Sequence, residues 1–238
     1  MSQKLKDPSG RLFKRNPDRL ENYSSTGIMI VIVLLMLMTV VWLCTHYAKP
    51  IDGASMQPGI NNYPSPTGDI AIVANHSNFD RGDIVILDMQ NTGVYDSNLA
   101  EKLLIKRVIA IEGDSIKFIY EDGQYNVYLK EANTSEFKKL QEDYIKPLTY
   151  SGKYEEFNTQ NNWVTKLPKN SDGSVTIPVG YYFCMGDNRN DSLDCRNFGP
   201  LATTSCIGVV ETILYKGNIF NTILTWLAGL NTSEAVIK

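Results

Sequence analysis

The chain is 238 residues long, 43% hydrophobic and 21% charged, which gives room for one domain of moderate size and a membrane anchor. Its net charge of −3 is unevenly placed: residues 1–26 hold six basic residues (Lys4, Lys6, Arg11, Lys14, Arg15, Arg19) against Asp7, Asp18 and Glu21, so the remainder carries −6. An acidic body of this kind excludes the basic footprint that nucleic acid needs.

The first predicted element after the basic tail (1–26) is a membrane anchor at 27–48. The run Gly27–Cys44 reads GIMIVIVLLMLMTVVWLC, and no charged residue occurs between Glu21 and Lys49. As a helix, 27–48 spans roughly 33 Å, the thickness of a hydrocarbon core. A cleaved secretory signal would have a shorter apolar run ending in a small-x-small site. Here His46 occupies the −3 position before Ala48. The basic flank precedes the span, which predicts a single-pass protein in the cell membrane with a cytoplasmic N-terminus and an extracytoplasmic domain from residue 49 onward.

Short apolar runs between turn residues then predict strands at Asp69–Ala74, Asp83–Leu87 and Leu103–Ile111. Ser115–Tyr120 and Gln124–Leu129 read as a hairpin across Glu121-Asp122-Gly123. Residues 132–178 are polar and weakly periodic, an insertion with a helix expected near Ser135–Tyr144. Strand character returns at Ser174–Ile177, Gly180–Met185 and Cys206–Tyr215, so the domain at 49–215 is expected to be mainly β. In the C-terminal segment 216–238, apolar residues from Ile219 to Leu230 recur at helical spacing. That helix either packs on the domain or lies on a membrane surface, and it is short for a second span. Cys44 falls at the membrane boundary. Cys184, Cys195 and Cys206 are odd in number, and the sequence leaves open whether two of them pair or all stay thiols.

Three places carry residues suited to chemistry. Ser55 follows Asp52-Gly53-Ala54, small residues that permit a tight turn and a close approach by a peptide. Lys106 interrupts an apolar strand among Leu104, Ile105, Val108 and Ile109, where lysine is rare unless paired or functional. The segment Gly186–Leu201, GDNRNDSLDCRNFGPL, alternates opposite charges at Asp187, Arg189, Asp194 and Arg196 around Ser192. No Cys/His cluster has zinc spacing and no Gly-rich phosphate loop is present, so no metal or cofactor is expected. His46 and His76 read as surface residues.

The boxes Ser55-Met56-Gln57-Pro58, Lys106-Arg107-Val108-Ile109 and Gly186–Leu201, in this order after an anchor, resemble those of the bacterial type I signal peptidases. These are membrane-anchored serine endopeptidases with an irregular, largely antiparallel β fold. The resemblance implies that Ser55 is the nucleophile and Lys106 the general base. It further implies that Ser192 orients the lysine amine, and that Asp187, Arg189, Asp194 and Arg196 brace the site. The Ser55 main-chain N–H would serve the oxyanion hole; position 53, where some members add a serine hydroxyl, is glycine. Ile51, Met56 and Ile105 would line shallow pockets for the small residues at −1 and −3 of a signal peptide. The implied partners are exported precursors and the lipid bilayer; no oligomeric state follows.

The chain departs from the family pattern at Gly59-Ile60, Glu112 and Cys195. A Ser-His mechanism, as in the endoplasmic-reticulum branch, would need histidine where Lys106 stands. Dedicated processing or assembly of a pilin-like surface protein is the alternative role. A self-cleaving Ser-Lys repressor would carry a DNA-binding head in place of the anchor.

Overall fold

In the computed structural model, residues 17–64, 67–92, 102–146 and 167–228 are described, and the chain divides into two units after Thr45. The first unit contains helix α1 (Pro17–Thr45). Its last 21 residues, Ser25–Thr45, are long and apolar enough to cross a membrane. Their side chains are exposed on every side, from Ile28 to Leu43, so α1 has no face reserved for a protein core.

The helix stops three residues short of the expected boundary at Ala48. His46–Asp52 instead forms strand β1, antiparallel to β2 (Thr67–Ala74), with His46 opposite Ala74 and Ala48 opposite Ile72. Pairing with β2 satisfies backbone groups that helical continuation toward Pro50 would have left open.

The second unit is built on two antiparallel sheets. The larger joins β1, β2, β11 (Cys206–Leu214), β3 (Ile84–Asp88), β4 (Leu103–Ala110), β9 (Tyr181–Met185) and β10 (Leu201–Ala202), in that spatial order. The smaller runs β7 (Lys138–Lys139), β6 (Gln124–Lys130), β5 (Ser115–Glu121), β8 (Val175–Thr176). The fold class is thus mainly β and antiparallel, as expected. The β5–β6 hairpin turns at Asp122 and Gly123, both with positive φ (53° and 82°), the geometry that favours Asp-Gly in a two-residue loop. Arg81 joins the sheets by a two-pronged bond to the buried Asp114 (2.6 and 2.7 Å), the residue before β5.

Two apolar clusters form the core. The larger packs Val85, Leu87, Val108, Phe183 and Met185 against Ile116, Phe118 and Val127 of the second sheet. The smaller gathers Ile51, Met56, Ile60, Ala71, Val73, Ile86 and Ile105.

The helix expected at Ser135–Tyr144 is absent. Lys138 and Lys139 pair with Leu129 and Tyr128 as edge strand β7, and turns follow to Lys146. A polar segment of ten residues is too short to hold a helix alone, and β6 offers its backbone a partner. Residues 147–166 lie outside the described part. Further short elements escaped the sequence reading: β10, helix α2 (Cys195–Phe198) and single 3-10 turns at Met89–Asn91 and Thr203–Ser205. The C-terminal helix is present as α3 (Ile219–Ala228). Buried Asn221 hooks its start to the sheet, donating to the carbonyls of Gly68 (2.8 Å) and Leu214 (2.7 Å), while Ile219, Phe220 and Ile223 stay exposed.

Candidate active site

Ser55 stands on the turn that leaves β1. Gly53 takes φ +102°, a conformation that a side chain disfavours, and Gln57 N–H closes the turn on the Ala54 carbonyl (3.1 Å). Asn61 fixes the base of this loop. Its amide donates to the Ile51 carbonyl (2.9 Å), and its backbone N–H and side-chain oxygen exchange bonds with Asp69 of β2 (2.7 and 3.0 Å).

Lys106 lies on β4 between β3 and β9, opposite Val85 on one side. Its side chain is 1% exposed. The amine nitrogen sits 2.9 Å from Ser55 Oγ and donates to the Ile105 carbonyl at 2.8 Å. Burial pushes the amine down from the usual lysine value to about 8, against the opposing pull of Asp194 and Asp187. Desolvation disfavours the ammonium form, and no carboxylate bonds the amine directly among the described contacts. Near neutral pH a useful fraction is therefore unprotonated and within reach of the serine proton.

The loop after β9 holds this pair in place. Asn188 grips the serine turn twice, through its N–H to the Ser55 carbonyl (2.9 Å) and its amide to the Ala54 carbonyl (3.0 Å). Gly186 packs so closely that a β-carbon there would meet the Ser55 carbonyl at 2.5 Å and Ser192 Oγ at 2.2 Å. Asp194 caps α2 in a reciprocal box with Asn197 and also receives the Gly186 N–H (3.0 Å). Both prongs of Arg196 close on Asp194 at 2.9 Å, and neither side chain is exposed. Burial alone would raise the Asp194 carboxyl, but Arg196, the Gly186 N–H and the Ser192 hydroxyl hold it well below the usual carboxylate range.

The supporting residues expected from sequence all converge here, with partners that sequence did not supply. Asp187 takes a two-pronged bond from Arg107 (2.8 and 2.7 Å). Arg189, fully buried, donates to the Gly186 carbonyl (3.0 Å) and forks onto Glu142. Ser192, expected to orient the lysine, is buried against Gly186 beside the Asp194 carboxylate, and the bonds described for the Lys106 amine go to Ser55 and Ile105 instead. Ile51, Met56 and Ile105, expected to line pockets, lie packed in the smaller core cluster at 1–2% exposure, beneath the serine turn.

Part of the insertion also returns to the site. Glu142 binds Arg189, Tyr144 lies under the Arg107 guanidinium (4.3 Å to the ring centroid) and donates to Glu142 (2.9 Å), and Lys146 reaches Gln57 (3.2 Å). Burial and neighbouring Glu142 push the Tyr144 phenol up from its ordinary value. No sequence signal marked Glu142, Tyr144 or Lys146, since each partner is distant in the chain. Arg107 was legible in principle, because alternation along β4 places it on the face opposite Lys106.

The histidines stand apart from the site: His46 pairs with Glu211 at 3.0 Å, and His76 is exposed. Among the described residues no group of His, Cys, Asp and Glu is placed to hold a metal ion.

A hydroxyl 2.9 Å from a water-excluded amine with a lowered pKa defines a site suited to nucleophilic acyl transfer by a serine-lysine pair. Residues 23–215 match the model of the family described as "Signal peptidase, peptidase S26", and the chain belongs to that family. It is 28% identical to signal peptidase I U of Bacillus subtilis (strain 168) over 189 residues, 79% of this chain and 86% of that protein. A signal peptidase I of Streptococcus pneumoniae (strain ATCC BAA-334 / TIGR4) is also 28% identical, over 79% of this chain and 91% of the relative. A solved signal peptidase I from Enterococcus faecalis V583 matches with a TM-score of 0.33 and 22% identity, covering 56% of this chain and 97% of that one. The fold rests on the strand pairings above rather than on that likeness.

Proposed function

We propose that this protein is a membrane-bound serine endopeptidase that removes N-terminal signal peptides from exported precursors, with Ser55 as nucleophile and Lys106 as general base. The observation that carries this reading is the buried Lys106 amine at 2.9 Å from Ser55 Oγ, in a chain whose family is that of signal peptidases. Neutral Lys106 takes the Ser55 proton as Oγ attacks the scissile carbonyl. The resulting alkoxide-like oxygen is met by the Ser55 main-chain N–H, and Lys106 returns its proton to the leaving amine. Lys106 then activates the water that releases the acyl-enzyme. Asn188 fixes the serine turn, while Asp187, Arg189, Ser192, Asp194 and Arg196 keep the loop rigid around the amine.

α1 supplies the anchor, and the basic tail before it sets a cytoplasmic N-terminus and an extracytoplasmic domain. Ile51, Met56 and Ile105, packed at 1–2% exposure, set the preference for small residues at −1 and −3 by leaving little room beside the serine turn. The test is cleavage by the full chain in vesicles. Wild-type protein should cut signal-peptide-bearing precursors at one bond after small −1 and −3 residues, and Ser55→Ala should not cut while remaining folded. Cleavage by Ser55→Ala, or no cleavage by wild type across a precursor panel, overturns the reading.

A further inference from the structure

Two thiols with no part in this chemistry flank the loop that supports it. Cys184 is the next-to-last residue of β9, two before Gly186, and Cys195 opens α2 directly after Asp194. Both are fully buried, their sulfurs lie 3.5 Å apart, and the Cys184 N–H points at Cys195 Sγ (3.3 Å). Cys206 is buried nearby, but its sulfur faces the Gly208 carbonyl at 3.6 Å. Cys44 belongs to the exposed apolar helix of the other unit.

We propose that Cys184 and Cys195 are a disulfide-forming site that closes the catalytic loop at its base. A disulfide spans about 2.05 Å between sulfurs, so from 3.5 Å the two need approach by roughly 1.5 Å. The bond would enclose residues 185–194 in a ring containing Gly186, Asp187, Asn188, Arg189, Ser192 and Asp194, leaving Ser55 and Lys106 outside it. As free thiols the two are small apolar fillers; joined, they restrict a segment that grips the Ser55 turn through Asn188.

The chemistry is exchange with an external disulfide. One thiol loses its proton and attacks a sulfur of the donor, expelling a thiolate and giving a mixed disulfide. The second thiolate displaces the remaining donor sulfur, so the Sγ–Sγ bond forms, and the two electrons and two protons given up by the cysteines reduce the donor to a dithiol or two thiols. Burial dictates the timing. Packing pushes the Cys195 thiol well above its ordinary pKa and shuts out a donor, so exchange belongs to the unfolded chain before β9 and α2 pack. Once made, the bond is shielded from reductants in the same way. In the cell the site requires an oxidising compartment, and that requirement rests on the extracytoplasmic placement proposed above.

The test uses the full chain in detergent micelles, unfolded and refolded against mixtures of oxidised and reduced glutathione, then quenched in acid and labelled under denaturing conditions with a maleimide mass tag. Two of the four thiols should disappear with a loss of 2 Da, and proteolysis should yield one cross-linked peptide pair joining Cys184 to Cys195. Cys206→Ser and Cys44→Ser should still lose two thiols, whereas Cys184→Ser and Cys195→Ser should form no internal bridge. The oxidised protein should unfold several degrees above the reduced form. Four taggable thiols at every glutathione ratio, or a bridge that recruits Cys206 or Cys44, overturns the proposal. If the chain does not refold, the same thiol count on protein synthesised and translocated into an oxidising bacterial periplasm decides it. A bridge in micelles with four free thiols in cells would retain the site and contradict the outward placement, so the two readings fail separately.

Discussion

The β4 corner beneath Ser55 and the loop at 186–196 each bury cations completely, by opposite means. In the loop, Arg196 is forked onto Asp194 and Arg189 onto Glu142, so each charge is compensated and kept. At the corner, Lys106 is given a hydroxyl and a backbone carbonyl and no carboxylate partner among its described bonds. The same burial therefore locks a charge in one place and loosens a proton in the other. Carboxylates stand close enough to Lys106 to be felt, and they are already engaged by arginines. That engagement keeps a direct counter-charge off the lysine amine among its described bonds.

The strongest way to break the contrast is to put a permanent charge at the corner. Lys106→Arg keeps a cation that cannot deprotonate, and activity should fall by about four orders of magnitude in a precursor-cleavage assay. Lys106→Met should be equally inactive yet no less stable at pH 7, because it removes a desolvated amine and retains the packing. Measurable turnover by Lys106→Arg would remove the lysine from the mechanism.

Next in size is the loop. Asp194→Asn leaves Arg196 buried without its counter-charge and should cost about 3–5 kcal/mol in chemical unfolding of the full chain in detergent. A cost below 1 kcal/mol would mean that water or another carboxylate reaches Arg196.

The pH profile sharpens the comparison. The kcat/KM of the free enzyme should rise with pH through about 8 and fall about tenfold per unit below it, since the protonated amine is not a base. Stability should move the same way. The folded amine has lost its proton above about 8, whereas an unfolded lysine holds one into its usual range, so unfolding takes up a proton between those values and stability rises with pH across that window. Lys106→Met should lose this dependence. An acid limb near 6.5 that vanishes in His46→Ala or His76→Ala would assign the base elsewhere. The smallest effect is expected at the surface pair His46–Glu211, where Glu211→Ala should change stability by less than about 1 kcal/mol.

What the sequence showed followed from periodicity and local chemistry. β2, β3, β4, the β5–β6 hairpin, β9 and β11 were legible because their apolar runs are bounded by turn residues, and Lys106 because a cation among Leu104, Ile105 and Val108 is an anomaly. The serine, the lysine and the charged loop were found as separate boxes, and the 2.9 Å between the first two needed the fold. The remainder was hidden for identifiable reasons. β7 and β10 are two residues each, below any period. The end of α1 at Thr45 depends on β2, which lies twenty residues away. Glu142, Tyr144 and Lys146 sit in a polar stretch whose pattern carries no signal, and only tertiary contact gives them partners.

The Glu142 contact means that the charged loop is not a transplantable cassette. Moved with its own sixteen residues into another β scaffold, it would bring Arg189 without Glu142 and Asp187 without Arg107. A chimaera that exchanges the insertion between relatives should have to exchange position 189 along with it.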